Sequence, residues 1–202
     1  FTEDQLEVDV KIYDMDDSNK TPHLSGKIKP GIYLRADREW FTNWRVEFFY
    51  EGVLIYEYIY NLEGKKVLVF IGSSGLGDAF AWTPPVEEFR RKHKCKVVCC
   101  TGFTDIFERV YPEIEFIEMG QEHPDCHDSF AIGWMSNREL GGLDHERAPW
   151  CYMRMDDVGT FPNPTQPLNY QKNPLQSVSF GQLGLEYKKT ITPIKFLPKR
   201  KR

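Results

Sequence analysis

Through the first sixty-odd residues apolar positions alternate with polar ones, and no helical period is sustained. Leu6, Val8, Val10 and Ile12 make one face of a period-two strand. The clearest element lies at 44–60, where the runs 45–50 and 53–60 flank Glu51-Gly52. An acidic residue followed by glycine, between two β-branched and aromatic runs, predicts a hairpin. Pro22, Gly26, Pro30 and Gly31 punctuate the stretch before it. Residues 1–62 therefore read as a small β-rich module of short antiparallel strands, a sheet or a small barrel.

The grammar then changes. Residues 66–71 are almost continuously apolar, which suits a strand buried on both faces. A glycine-rich loop follows at 72–78, and then 79–93, where Phe80, Val86, Phe89 and Arg90 recur at helical spacing. Pro84-Pro85 is expected to break or restart that helix, because neither residue carries a backbone donor. Residues 96–101 predict a second buried strand, 105–110 a short helix, 114–118 a third strand and 130–134 a fourth. This β-α-β-α-β order with short connections implies a parallel sheet with right-handed crossovers. From 136 to 171 the pattern fades into Gly, Pro, Asn and aromatic residues, a long irregular segment of the kind that carries function or a contact surface. Helical character returns at 174–184, with Asn173 expected as the cap, Pro174 in the first turn and Gly184 at the end. The fold class is α/β: a β module over 1–62, a parallel α/β domain over 63–195, and a basic tail or linker at 196–202.

Composition narrows the partners. Of 202 residues, 41% are hydrophobic, 28% charged and 14% aromatic, an ordinary folded composition of one large or two small domains. Lys and Arg number 26 against 30 Asp and Glu, a formal net charge of −4, which argues against a general grip on nucleic acid or anionic lipid. No run approaches the roughly 20 apolar residues of a membrane helix. The chain starts at Phe1 without a charged-then-apolar leader, so no signal peptide is expected and a fragment or processed chain is. Cys95, Cys99, Cys100, Cys126 and Cys151 are odd in number and form no CxxC pair, which reads as reduced, cytoplasmic usage. Three of them, Cys95, Cys99 and Cys100, are expected as small buried hydrophobes.

The candidate chemistry gathers at the end of the first parallel strand. Gly72, Ser73, Ser74, Gly75, Leu76, Gly77 and Asp78 stand where open α/β sheets place ligands, and they are expected to line an open cleft. Glycines let backbone approach a bound group, and the following helix presents unpaired N–H donors. The spacing matches neither standard phosphate loop, and the second strand ends Cys100-Thr101-Gly102 without the acid that holds a ribose, which argues against NAD or FAD. Asp78 admits two readings: a first-turn acid stabilising the helix by about 0.3–1 kcal/mol, or a general base facing the cleft. His123, Asp125, Cys126, His127 and Asp128 gather metal-binding atoms, but within one loop and with no second ligand pair; a polar loop is the better reading, and no metal site is assigned. A Cys–His nucleophile using Cys126 or Cys151 lacks local context. Trp134, Trp150, Tyr152 and Phe161 suit a core or oligomer surface better than sugar stacking.

The residues 69–82, Val-Phe-Ile-Gly-Ser-Ser-Gly-Leu-Gly-Asp-Ala-Phe-Ala-Trp, together with 85–93 and 111–116, resemble the bacterial autotransporter heptosyltransferases. Residues 173–178 and 183–187 are similar to the segment before that family's interdomain crossover, so the resemblance spans roughly 65–195. It implies a GT-B transferase of two Rossmann-like domains, of which this chain would be the acceptor-side half with its N-terminal β module. It also implies ADP-heptose as nucleotide-sugar donor, Ser or Thr hydroxyls of an adhesin-like protein as acceptor, and a homo-oligomer. The resemblance makes Asp78 the base, with Gly72 to Gly77 and Trp82 as substrate-binding residues. Donor-binding groups and an iron site would lie in the second half, so no cofactor is expected in this chain. The alternative is a non-catalytic assembly module that keeps the acceptor-side fold alone.

Overall fold

Glu51 and Gly52 have φ of 49° and 78°, the pair of left-handed conformations of a type I′ turn, and they join β3 (Trp44–Tyr50) to β4 (Val53–Ile59). The computed structural model describes residues 7–34, 36, 41–73, 75–133 and 174–193. It divides into two units, Phe1–Asn61 and Leu62–Arg202. In the first, β1 (Val8–Asp14) pairs antiparallel with β3 and with β2 (Leu24–Ile28), giving the sheet order β2-β1-β3-β4. Val10 stands opposite Phe48 and Ile12 opposite Val46, so the period-two pattern puts these four on one face. Val10 and Ile12 are buried. On the other face Lys11 Nζ lies 4.7 Å over the Phe49 ring, and Arg45 pairs with Glu47 and, at 2.7 Å, with Glu57. Among the described residues this is an open sheet with β4 at its edge, and every residue of β4 is exposed.

The second unit is built on β5 (Lys66–Ile71), β6 (Lys96–Cys100), β7 (Ile114–Ile117) and β8 (Asp128–Ile132), all parallel, in the order β7-β6-β5-β8. The chain steps outward from β5 to β6 and β7, then returns to the far side of β5 as β8. The strand order therefore reverses between β5 and β8. Val67, Val69, Ile71, Val97 and Cys99 are all but inaccessible, as a strand covered on both faces requires. On the opposite face of the sheet Leu68, Val98, Cys100 and Ile117 cluster, with Phe70 and Cys126 packed against them.

Several elements depart from the sequence-based expectations. Helix α1 (Leu76–His93) runs through Pro84 and Pro85 unbroken. Pro84 cannot donate to the Phe80 carbonyl one turn earlier, and the Thr192 hydroxyl does so instead at 3.2 Å. A partner from a distant segment thus satisfies the acceptor that the proline orphans. Helix α2 (Thr104–Phe107) is shorter than 105–110. Strand β8 begins at Asp128 rather than 130, because its ladder with β5 starts opposite Val67 while the side chains are still polar. Helix α3 (Leu175–Gln182) begins after Pro174, which occupies the cap position itself with extended backbone (ψ 140°). Its end is as expected: Gly184 has φ 61°, Leu185 N–H donates to Phe180 at 2.8 Å and Gly184 N–H to Gly181 at 3.1 Å, the paired bonds of a Schellman stop. Leu6, Asn173, the long segment 136–171 and the tail 196–202 lie outside the described residues.

Candidate functional site

The carboxyl ends of β5 and β8 are where the strand order reverses, the position at which open α/β sheets accept ligands. Residues 72–78 leave β5 there. Gly72 N–H donates to the Ile132 carbonyl at 3.0 Å and ties the start of the loop to β8, and Ser73 N–H donates to Ile71 at 2.9 Å, turning the chain away from the sheet. Gly75 is the helix cap in extended conformation, so Leu76, Gly77 and Asp78 are the first three residues of α1. Gly75, Leu76 and Gly77 are exposed, and Leu76 keeps 45% of its surface in solvent although it is a large apolar residue. Ser74 lies outside the described residues.

Asp78 is half-buried, and its Oδ2 accepts a hydrogen bond of 2.6 Å from Ser73 Oγ. Ser73 Oγ in turn accepts the Gly75 N–H at 2.9 Å. In an ordinary capping box the third-residue acid reaches back to the cap amide itself. Here a serine hydroxyl stands between the two, and no side chain caps α1 directly. The arrangement presents a carboxylate at the positive end of an 18-residue helix, held by one oxygen. Chemically it can accept a proton or orient a hydroxyl.

Trp82 does not join this group. Its ring is inaccessible to solvent, its Nε1–H donates to the Leu175 carbonyl at 3.2 Å, and a Cβ on Gly133 would stand 2.2 Å from the indole. The residue expected as a substrate contact packs between α1, α3 and the end of β8. It lies one turn beyond Asp78, among the buried residues of α1. Gln182 completes the seam: its Oε1 accepts Gly133 N–H at 2.8 Å and its Nε2 donates to Gly133 O at 3.4 Å. Nothing in the sequence flagged Gln182, since a glutamine in a helix announces no partner; only the return of α3 to β8 supplies one.

The described residues do not fit a metal. No three His, Cys, Asp or Glu converge among them. Burial pushes the thiols of Cys95 and Cys100 up to about 11 and that of Cys99 higher still, which disfavours the thiolate a metal requires. Cys126 Sγ donates to its neighbour Pro124. Cys151, Trp134, Trp150, Tyr152 and Phe161 fall outside the described residues, and no described helix is long and apolar enough to cross a membrane.

No family model matches the chain. Among characterised proteins, the inactive autotransporter heptosyltransferase BimC of Burkholderia thailandensis is 27% identical over 120 residues, covering 58% of this chain and 28% of BimC. The autotransporter heptosyltransferase Aah of Escherichia coli is 28% identical over 88 residues, 42% of this chain and 22% of Aah. In fold, the chain is similar to the iron-containing dodecameric glycosyltransferase TibC of enterotoxigenic E. coli, with a TM-score of 0.72 and 18% identity over 97% of this chain and 46% of TibC. TibC has also been solved in complex with ADP-D-β-D-heptose, and that structure gives a TM-score of 0.69. The chain is thus similar, over part of its length, to the bacterial autotransporter heptosyltransferases, and it spans less than half the length of those it matches.

Proposed function

We propose that the protein is an inverting heptosyltransferase that passes the sugar of ADP-heptose to a Ser or Thr hydroxyl of an adhesin-like protein, with Asp78 as general base. The observation that carries the reading is the Asp78 carboxylate, half-buried where strand order reverses and held by Ser73 through one oxygen. It is supported by the likeness to heptosyltransferases and by the ADP-heptose bound in TibC. In this reading the exposed Gly75, Leu76 and Gly77 form the acceptor side of the site. A serine hydroxyl is a poor nucleophile while it keeps its proton. Asp78 takes that proton as the oxygen attacks the anomeric carbon, the bond to the diphosphate breaks, and ADP leaves from the opposite face. A positioned base contributes roughly 10²–10⁴-fold. The β-configured donor found in TibC would then give an α-linked heptose.

ADP departs with negative charge and needs cationic or helix-terminus stabilisation. We assign that, and any iron, to residues outside this chain, a division consistent with its covering 46% of TibC. By the same analogy the protein acts as a homo-oligomer, as the dodecameric TibC is one, and its odd, CxxC-free cysteines suit the cytoplasm. The test is sugar transfer by the full-length protein, read by intact mass. Asp78→Asn keeps the size of the side chain and removes the base, so transfer should collapse while donor binding persists. Near-wild-type transfer by that variant, or retention of anomeric configuration, overturns the reading.

One observation favours a second function: the BimC relative is an inactive member. A non-catalytic assembly module would keep the fold and show neither ADP-heptose binding nor transfer in the full-length protein. Calorimetry with ADP-heptose separates the two readings.

A further inference from the structure

The Ser73 hydroxyl has one proton to give, and its environment fixes where it goes. Its oxygen accepts the Gly75 N–H at 2.9 Å, and it lies 2.6 Å from the carboxyl oxygen Asp78 Oδ2. With the amide donating to it, the hydroxyl donates to the carboxylate. Oδ2 is thereby committed, and Oδ1 is the oxygen left to meet a substrate proton. A second observation concerns Gly75. Its φ of −81° is ordinary for any residue, so conformation does not require glycine there. Space is the constraint: a Cβ at this position would stand 3.1 Å from Asp78 Oδ2 and 3.3 Å from Ser73 Oγ, so both members of the hydrogen bond would have to shift by a few tenths of an ångström.

We propose that Ser73 is a positioning residue, which holds Asp78 by Oδ2 so that Oδ1 faces the acceptor hydroxyl, and that Gly75 is kept small to leave that hydrogen bond undistorted. This rests on Asp78 being the base, and it replaces direct substrate contact as the role of Ser73. Removing the hydroxyl lets the carboxylate turn back toward the Gly75 amide in the usual capping geometry, away from the acceptor. The cost falls on the chemical step, because donor and acceptor are bound by other groups.

The experiment is steady-state transfer by the full-length protein, with ADP-heptose and a serine-bearing adhesin passenger domain, for wild type, D78N, S73A, S73T, G75A and the S73A/G75A double variant. S73A is expected to lower kcat by about 10–100-fold with donor KM unchanged, the loss typical of a misplaced catalytic group. S73T restores the hydroxyl and should return kcat to within about 3-fold of wild type. G75A lowers kcat in the wild-type background and adds little to S73A, since both act on one hydrogen bond. Wild-type kcat in S73A, or S73T as impaired as S73A, overturns the proposal while an inactive D78N leaves the base standing. Near-wild-type transfer by D78N, or no transfer by wild type, overturns both. If S73A does not fold, G75A decides alone: reduced kcat supports the proposal and wild-type kcat overturns it.

Discussion

The two units carry aliphatic and aromatic strands of nearly the same composition and treat them in opposite ways. In β5, Val67, Val69 and Ile71 are inaccessible, whereas in β4 every residue is exposed, including Ile55 at 54% and Tyr56 at 58%. Strand β5 lies between β6 and β8 with helix α1 on one face; β4 has one neighbour, in a sheet with no described helix. What buries a strand is the number of layers around it, and hydrophobicity alone does not supply them. The same difference explains where chemistry gathers. A parallel sheet must carry its chain back across a helix, and each strand-to-helix turn leaves helix N–H groups at the carboxyl edge. Hairpins such as β3–β4 close in two residues and leave no such edge.

A matched pair of substitutions tests this contrast at its largest. Val69→Glu puts an unpaired carboxylate into a fully buried strand and should cost about 4 kcal/mol or more. The same change at Ile55 should stay within about 0.5 kcal/mol, because the side chain already meets water. Urea unfolding of both variants measures it, and equal losses would break the comparison.

The seam around Trp82 sharpens it next. Gly133 has φ 98°, and a methyl group there would meet the indole at 2.2 Å. Gly133→Ala combines backbone strain with overpacking and should cost roughly 3–5 kcal/mol. Gly52→Ala has a comparable φ of 78° but open space around it, so its loss should be the strain alone. Thermal melts of the two variants separate the contributions.

Acid should act on the α/β unit through His93. Burial, with a smaller contribution from the charge of Lys92, pushes its pKa down from 6.5 to about 4, and its ring packs 4.5 Å from that of Phe89. The folded state therefore binds a proton less readily than the unfolded one. Its stability is full above 6.5 and falls by up to about 3 kcal/mol as the pH drops toward 4. Burial favours a raised pKa for Glu87, but Arg90 and Arg91 outweigh it and hold the carboxyl below 4.5, so its contribution is lost only at lower pH. Urea midpoints at pH 7 and pH 5 should differ less in His93→Gln than in wild type.

The smallest effect concerns Thr192. Thr192→Val strips the Phe80 carbonyl of its substitute donor and should cost about 1–2 kcal/mol. Pro84→Ala restores an N–H at the right place, so the double variant should regain part of that loss. Chemical denaturation of the four proteins in the cycle measures the coupling, and simple additivity would remove Thr192 from the account of why α1 is unbroken.

Much of this molecule was legible in local sequence. The alternation of 8–12, the Glu51-Gly52 turn and the unbroken run of 66–71 each state a period or a backbone requirement that neighbouring residues settle among themselves. The glycine loop and Asp78 could be placed at a strand-to-helix junction for the same reason. Tertiary structure decided the rest, wherever a residue's partner lies far along the chain. Thr192 supplies the donor that Pro84 lacks, 112 residues from the carbonyl it meets. Trp82 turns inward because Gly133 and Leu175 make room and an acceptor for it. Ser73 holds Asp78 because the loop folds five residues back on itself, a closure that the letters Gly-Ser-Ser-Gly-Leu-Gly-Asp permit but do not require. Backbone periods are local and can be read one residue after another, whereas the satisfaction of a buried polar group depends on which distant segment the fold brings to it.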